Sequence, residues 1–189
     1  MSTTVQIEIF QFDELSDGAK EKARQWFREA LDGDNYFAEC TLEEVKASIG
    51  SMLGFTIKDV FFSGFSSQGD GACIIGTWRA ADVQAAKLRE FAPCDKELAR
   101  IRKDMRAFAR AHRGNTACIT HYGIYSNSGC TNIEADQGTA AFAQIARDFM
   151  DWIYRQLEQN WNYENSDESV DENIRINEYT FTVEGKRFG

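Results

Sequence analysis

Two pairs of strand-like segments, each joined by a turn rich in glycine and serine, constrain the fold of this chain most strongly. The first pair is Phe55–Phe62 with Ala72–Trp78, and the second is Thr116–Tyr125 with Cys130–Ala135. β-Branched and aromatic residues bounded by turn residues are typical of β-hairpins. Because a hairpin turn reverses the chain direction, the two pairs predict an antiparallel sheet.

Most of the remaining chain has helical periodicity, with apolar residues recurring every three or four positions. The predicted helices are 16–31, 41–53, 82–91, 95–113 and 139–161. Period-two alternation predicts further strands at the two ends, in 5–9 and 174–183. We therefore predict one globular domain, residues 1–189, of the α+β class. Its antiparallel sheet would have about five to six strands, with helices packed mainly on one face.

Three local predictions depend on particular residues. Thr41 and Glu44 have the spacing of a capping box, which predicts that a helix begins there. The stretch Asn162–Asp171 is polar and is predicted to be an acidic loop. The apolar positions change parity between Ile176 and Tyr179, so keeping one face buried requires a turn or bulge between them.

The composition predicts a cytoplasmic protein. Five cysteines without regular spacing disfavour a disulfide framework. The first residues lack a basic region followed by an apolar stretch, and no apolar run approaches the ~20 residues needed to cross a bilayer. The net charge of −9 disfavours direct binding to nucleic acid or to an anionic membrane, because both would repel the chain.

The charge is unevenly distributed along the chain. Residues 87–113 contain nine Lys or Arg against four Asp or Glu, whereas residues 151–184 contain nine Asp or Glu against two Arg. The basic segment has three interpretations: a surface for nucleic acid or an acidic partner, the solvated face of an amphipathic helix, or a helix that pairs with the acidic C-terminal region within the fold or in a dimer. The acidity of the whole chain favours the second.

Two groups of carboxylates are the candidate partner-binding site. An array of carboxylates resembles the phosphates of DNA in charge and attracts a groove lined by Lys and Arg. The plain alternative is a solvated surface that keeps the protein soluble. The candidate residues are Glu164, Asp167, Glu168, Asp171 and Glu172 in one group and Asp32, Asp34, Glu39, Glu43 and Glu44 in the other.

The loop from residue 63 to residue 71 is a second candidate site. Its three glycines allow successive backbone amides to form an anion-binding nest, so a ligand phosphate is one predicted occupant. The chain lacks the Lys and the following helix of a P-loop. The alternative is a hairpin connection held by bonds from its own side chains. The candidate residues are Ser63, Gly64, Gln68 and Asp70.

No metal and no cofactor are predicted. Cys118 and His121 have a Cys-x-x-His spacing, with Cys130 one hairpin turn away. A structural zinc site needs four ligands, and the first two would lie on opposite faces of a strand. No flanking signature supports a nucleophilic cysteine paired with either histidine.

Two segments carry a resemblance to known proteins. Residues 61–73, Phe-Phe-Ser-Gly-Phe-Ser-Ser-Gln-Gly-Asp-Gly-Ala-Cys, and residues 12–24 resemble segments shared by small acidic phage and prophage proteins. The resemblance covers about the first half of the chain. It implies a phage gene expressed inside a bacterium, and no catalytic residue accompanies it. In that setting, small acidic proteins often act on host machinery, including as inhibitors of restriction or CRISPR systems.

Three hypotheses for function follow. The first is a phage-encoded inhibitor whose acidic surface occupies the basic nucleic-acid-binding groove of a host defence protein, such as a CRISPR effector. The second is an enzyme with a dispersed active site that uses the 63–71 loop to bind a ligand phosphate. The third is an accessory or structural phage protein acting by self-association into a homo-oligomer. We favour the first and lean against an enzyme.

Overall fold

A computed structural model describes residues 7–31 and 35–189. The chain divides into two compact units: residues 1–37 together with 160–189, called here the terminal unit, and residues 38–159, called the sheet unit. The prediction of a single domain stays a prediction, since two compact units can belong to one cooperatively folded domain.

The longer helices and the hairpin strands lie close to their predicted positions. The strands are β1 (Phe10–Gln11), β2 (Phe55–Ser63), β3 (Gly71–Arg79), β4 (Thr116–His121), β5 (Thr131–Ala135), β6 (Thr180–Phe181) and β7 (Arg187–Phe188). The α-helices are α1 (Asp17–Leu31), α2 (Tyr36–Glu44), α3 (Gly50–Met52), α4 (Ala85–Phe91), α5 (Lys96–Ala111), α6 (Thr139–Glu164) and α7 (Asp167–Ile176). A π-helical segment, Val45–Ile49, joins α2 to α3.

The sheet unit contains a four-stranded antiparallel sheet in the order β2-β3-β4-β5. Both predicted hairpins are confirmed. One face of the sheet is buried: Ile119 and its register partner Ile133 are both shielded from solvent. The opposite face is open in the row Thr77, Cys118 and Glu134, which are all exposed. This difference confirms that helices cover mainly one face.

Aromatic side chains fill the space between the sheet and the helices α5 and α6. Trp78 of β3 is fully buried, and its indole Nε1 donates to the carbonyl of Leu53 at 2.8 Å. Its ring lies 4.7 Å from that of Phe142 in α6. Phe149, two turns further along α6, stacks on Phe55 of β2 at 5.4 Å. Burial of such large apolar side chains is the main stabilising contribution of this core.

The terminal unit has its own core around a small antiparallel sheet, in which β6 lies between β1 and β7. Helices α1 and α7 supply the rest of this core. Ala23 of α1, Ile174 of α7 and Phe181 of β6 are fully buried within it. Phe12 contacts Phe181 edge to face, with ring centroids 6.4 Å apart. The two ends of the chain therefore fold together.

The α+β class is confirmed, although the strands are divided between two sheets, one of four strands and one of three, instead of a single sheet. The division follows from β6 pairing with β1 across the chain ends. The predicted strand 5–9 begins outside the described residues, and its described part is not a strand: Ile7 and Ile9 are about half exposed. Pairing begins only at Phe10.

Three further predictions about local structure were wrong or incomplete. Helix α2 begins at Tyr36, so Thr41 lies inside the helix and does not cap it. The predicted acidic loop is mostly helical, because α6 runs on to Glu164 and α7 begins at Asp167. The predicted strand at Ile174–Ile176 is the last turn of α7. The predicted turn before Tyr179 is confirmed by Glu178, whose φ is +52°.

Candidate protein-binding surfaces

Two of the five carboxylates in the group 164–172 are bound inside the terminal unit. Arg24 of α1 donates from Nε to Asp171 Oδ1 at 2.6 Å and from Nη2 to Oδ2 at 2.8 Å. One helical turn away, Arg28 pairs with Asp167. The two arginines are four residues apart on α1 and the two aspartates four apart on α7, so the pairs form two rungs between the helices. Asp167 and Asp171 therefore serve the fold.

The environment of Arg24 strengthens its pair with Asp171. The side chains of Arg24 and Asp171 are only 19% and 16% exposed, so water screens the pair weakly. The hydrogen bond that Arg24 donates to Asp171 raises the pKa of Arg24 above its usual range. A bidentate pair in this setting is among the stronger ionic contacts in proteins, and it holds α7 to α1.

A nearby pair should contribute to the acid sensitivity of the terminal unit. Arg175 donates to Asp13, and this hydrogen bond holds the pKa of the Asp13 carboxyl below its usual range. A lowered pKa stabilises the fold at pH values above the ordinary carboxyl pKa, and that contribution is lost as the pH falls through the folded-state pKa. We expect the melting temperature of Asp13→Asn to fall less than that of the wild type when the pH is lowered from 6 to 3. Thermal unfolding followed by circular dichroism tests this; equal losses would contradict it.

The remaining residues of the group differ in exposure. Glu164 is half-buried and accepts a long contact from Ser169 Oγ at 3.5 Å. Glu168 and Glu172 are exposed, lie four residues apart on α7, and make no ion pair with any described residue. These two, called here the α7 glutamates, face solvent without an ion pair to any described residue, whereas Asp167 is also exposed but is paired with Arg28.

The second predicted group of carboxylates also leaves solvent-facing residues. Asp32 and Asp34 lie outside the described residues. Glu39, Glu43 and Glu44 are exposed on α2, and none forms an ion pair within the described ranges. We call these three the α2 glutamates. They belong to the sheet unit, whereas the α7 glutamates belong to the terminal unit.

The glycine-rich loop contains an amide nest, as predicted, but its own carboxylate fills it. Asp70 Oδ2 accepts from the backbone amides of Ser66 at 3.0 Å and Ser67 at 2.6 Å. A ligand phosphate would need those same donors and would meet the negative charge of Asp70. Gln68 is exposed, and Ser63 pairs with Gly71 as the last residue of β2. The contacts therefore support the interpretation of this loop as a hairpin connection held by bonds from its own side chains.

Contacts from α6 and from the 122–130 loop hold the glycine-rich loop in place. Tyr154 of α6 donates from its hydroxyl to the carbonyl of Gly64 at 3.1 Å and stacks its ring on Phe65. Asn127 donates from Nδ2 to the carbonyl of Gly69 at 2.9 Å. A Cβ at Gly69, where φ is +97°, would lie 2.6 Å from the ring of Tyr125. Glycine is therefore required at this position by both conformation and space.

The 122–130 loop and the neighbouring end of β2 present apolar side chains that the sequence analysis did not select. Ile124 is 87% exposed, and Tyr122, Tyr125 and Phe61 are 56%, 51% and 37% exposed. His121 links them, because it stacks on Phe61 at 5.3 Å and its Nε2 lies 2.8 Å from the carbonyl of Tyr125. We call Phe61, Tyr122, Ile124 and Tyr125 the loop surface. One sequence feature could have indicated this surface: two tyrosines flank Ile124 next to the turn of the second predicted hairpin. Exposed aromatic residues are typical of protein interfaces.

The thiols differ sharply in accessibility. Cys40, Cys94 and Cys118 are exposed, whereas Cys73 is buried. Burial raises the pKa of the Cys73 thiol to about 11, so it is protonated and unreactive at neutral pH. No group of three or more His, Cys, Asp or Glu side chains suited to a metal ion occurs among the described residues.

The thiol environments predict a reactivity order. At pH 8, we expect Ellman's reagent to modify the three exposed cysteines in the native protein within minutes, while Cys73 reacts only after unfolding in denaturant. Mass spectrometry of peptides from partially modified protein identifies the sites. Fast native modification of Cys73, at a rate similar to that of Cys118, would contradict its burial.

The four-stranded antiparallel sheet and the helices that cover one of its faces define an α+β protein. The chain matches the family model described as Domain of unknown function (DUF8835) over residues 37–167, and it belongs to that family. No curated protein and no solved structure matches the chain. Within the described residues, no helix is long and apolar enough to cross a membrane. The matched range includes the whole sheet unit, with its loop surface and the α2 glutamates.

Proposed function

We propose that this chain is a phage-encoded binding protein that inhibits a defence system in the bacterial cytoplasm. In this proposal, exposed glutamates occupy the basic nucleic-acid-binding groove of a host protein, such as a CRISPR effector. The observation that carries it is that five glutamates of α2 and α7 face solvent without an ion pair among the described residues. The phage setting is supported by the resemblance of residues 12–24 and 61–73 to phage proteins.

The helix positions of these glutamates favour an external counter-charge. Glu39 and Glu43 are four residues apart on α2, as Glu168 and Glu172 are on α7. Like charges at this spacing lie on the same side of a helix and destabilise it by a few tenths of a kcal/mol per pair. A groove lined by Lys and Arg would relieve this repulsion. Asp167 and Asp171, by contrast, are already paired with arginines of the same unit.

Affinity capture with charge-reversed variants tests the proposal. The tagged chain is used to capture proteins from lysate of a bacterium carrying an active CRISPR system, with washes of increasing salt. We expect a defence protein to be retained at low salt and released as salt rises, because screening weakens charge attraction. Glu39→Lys with Glu43→Lys, or Glu168→Lys with Glu172→Lys, should weaken its retention at least 10-fold.

A control with the same change in net charge distinguishes an effect of the glutamate clusters from an effect of total charge. Glu8→Lys with Glu178→Lys changes the charge by the same amount at exposed positions outside both clusters. We expect this control to keep most of the captured protein. Capture of no defence component, or equal loss in the control and the cluster variants, would contradict the proposed mechanism.

Self-association is a second candidate function, and the loop surface favours it. An exposed apolar group such as Ile124 with Tyr122 and Tyr125 loses unfavourable contact with water when it packs against a second copy. Light scattering at 10 to 200 µM protein tests this candidate. It predicts a dimer or larger species that Ile124→Asp converts to a monomer. A monomer at every concentration would contradict it.

A further inference from the structure

A basic cleft lies between α4 and α5 in the sheet unit. Two adjoining cavities of about 470 and 560 Å³ share Ala85, Ala86 and Arg106 in their walls. The cations that line them come from both helices and from the segment that follows α5. They are Lys87, Arg89, Arg102, Lys103, Arg106, Arg110 and Arg113.

The cations of the cleft have no internal counter-charge. None of the seven makes an ion pair with a residue that the structure describes, although the acidic Glu90 also lines one cavity. On the same helix, Arg100 shows the contrast, because it is bound to Asp148 at 2.6 Å. The chain as a whole carries a charge of −9, so unpaired cations gathered along one cleft are a local exception to its electrostatics.

Several of these cations also repel one another because of their spacing along α5. Arg102, Arg106 and Arg110 follow one another at four-residue intervals along α5. Side chains at this spacing are neighbours on one face, and like charges there destabilise the helix. Negative groups bound in the cleft would reverse this effect by neutralising several cations together.

The walls between the cations are small and apolar. Ala85 and Ala86 of α4 line both cavities, whereas Ala99 of α5 lines one and Ala109 of α5 the other. Alanine leaves room for another chain to approach the helices closely, and it contributes apolar surface for an aliphatic side chain. The cleft thus combines charge for acidic groups with space for apolar ones.

We propose that the basic cleft binds a short acidic segment of a partner protein that carries carboxylates interspersed with aliphatic side chains. The lining on α5 from Ala99 to Arg110 spans about 17 Å at 1.5 Å per helical residue. An extended segment of about six residues covers this length. This surface differs from the glutamates that carry the proposed inhibition, so either proposal can fail alone.

Nucleic acid fits the cleft less well than an acidic peptide. A long polyanion would extend past the cleft over a chain of net charge −9 and would be repelled there. The residues that line the two cavities include no aromatic ring on which a base could stack. A short peptide avoids both disadvantages because its charge ends where the cleft ends.

Fluorescence anisotropy with defined probes tests the assignment. The probes are a fluorescein-labelled octapeptide of alternating glutamate and leucine, the same peptide with serine replacing glutamate, and a labelled 20-nucleotide single strand of DNA. At 50 mM salt we expect the glutamate peptide to bind at least 10-fold tighter than the other two, with binding that weakens as salt rises. Tighter binding of the DNA, or equal binding of the two peptides, would overturn the proposal.

Charge-matched variants locate the binding surface. Arg102→Glu with Arg106→Glu should weaken peptide binding at least 10-fold. Lys22→Glu with Lys58→Glu makes the same change in net charge at exposed positions that do not line the cleft, and it should weaken binding by less than about 3-fold. Equal losses would assign the effect to net charge and overturn the cleft as the site.

Two further measurements keep the test decisive. If Arg102→Glu with Arg106→Glu fails to fold by circular dichroism, the single substitution Arg106→Gln replaces it, with an expected loss of 3-fold or more against an unchanged Lys22→Gln. Light scattering without peptide should give the same mass for the wild type and the Arg variants. If the wild type and the Lys control were dimers and the Arg variants were monomers, a second copy would occupy the cleft. That result would overturn the proposed occupant.

Discussion

Replacing Asp171 by alanine should lower the free energy of unfolding of the protein by about 2 kcal/mol. Arg24, whose side chain is 19% exposed, would lose a bidentate partner while remaining largely shielded from water. Removing one member of a shielded pair is costly because the other charge loses its strongest counter-charge. Arg24 would keep only the weaker contacts of its Nη1 with Glu21 at 3.2 Å and with Asp167 at 3.7 Å. The value is smaller than for a fully buried pair because Asp171 and Arg24 keep some contact with solvent.

Glu172→Ala is the matched control for this prediction. Glu172 is the next residue on α7, is exposed, and makes no ion pair with a described residue, so its loss should change the stability by less than about 0.5 kcal/mol. Urea unfolding curves for the two variants and the wild type measure the difference. Equal effects of the two substitutions would mean that the internal and solvent-facing carboxylates are assigned wrongly.

Trp78→Ala should destabilise the protein by about 3–5 kcal/mol, which is the largest effect we expect from a single substitution. The indole is fully buried and packs against Phe142, so its removal leaves a cavity in the core of the sheet unit. It also leaves the Leu53 carbonyl without the donor that it has at 2.8 Å, and a buried carbonyl without a partner carries its own cost.

Trp78→Phe and Ile124→Ala make this prediction specific. The phenylalanine variant keeps most of the apolar volume but removes the donor, so we expect an intermediate loss of about 1–3 kcal/mol. Ile124 is 87% exposed, and its truncation should change stability by less than about 0.5 kcal/mol. Urea unfolding again provides the measurement. A loss below about 1 kcal/mol for Trp78→Ala would contradict the packing described for the sheet.

The hairpins could be predicted because their determinants are local. In β2 and β3 the β-branched and aromatic residues define the strands, and the glycines between them define where the chain turns. Asp95, the first residue of the predicted helix 95–113, caps α5 by accepting from the amide of Leu98 at 2.8 Å. Such features depend on residues a few positions apart, so the sequence contains the whole interaction.

The error at α7 shows how one local pattern can hide another. Ile174 and Ile176 alternate like strand residues, but Ile176 is 70% exposed and does not belong to the core. The buried residues are Val170 and Ile174, which have helical spacing. Ser166 caps the helix by accepting from Ser169, and this signal was present in the sequence.

The division of the carboxylates could not be predicted, because it depends on distant partners. Asp171 and Arg24 are 147 positions apart, and only the packing of α7 on α1 brings them together. The amide nest of the glycine-rich loop was predicted from its composition, but its occupation by Asp70 depends on the backbone path that carries this side chain back to Ser66 and Ser67.

The central claim is that glutamates facing solvent on α2 and α7 inhibit a host defence protein. A direct measurement is the plating efficiency of a targeted phage on bacteria with an active CRISPR system that express the chain. We predict that the wild type raises plating by at least 100-fold and that reversal of Glu39 with Glu43, or of Glu168 with Glu172, removes most of the gain. The Glu8 and Glu178 control changes the net charge by the same amount and should retain it. A folded wild-type chain that leaves plating unchanged in every defence system tested would contradict the claim.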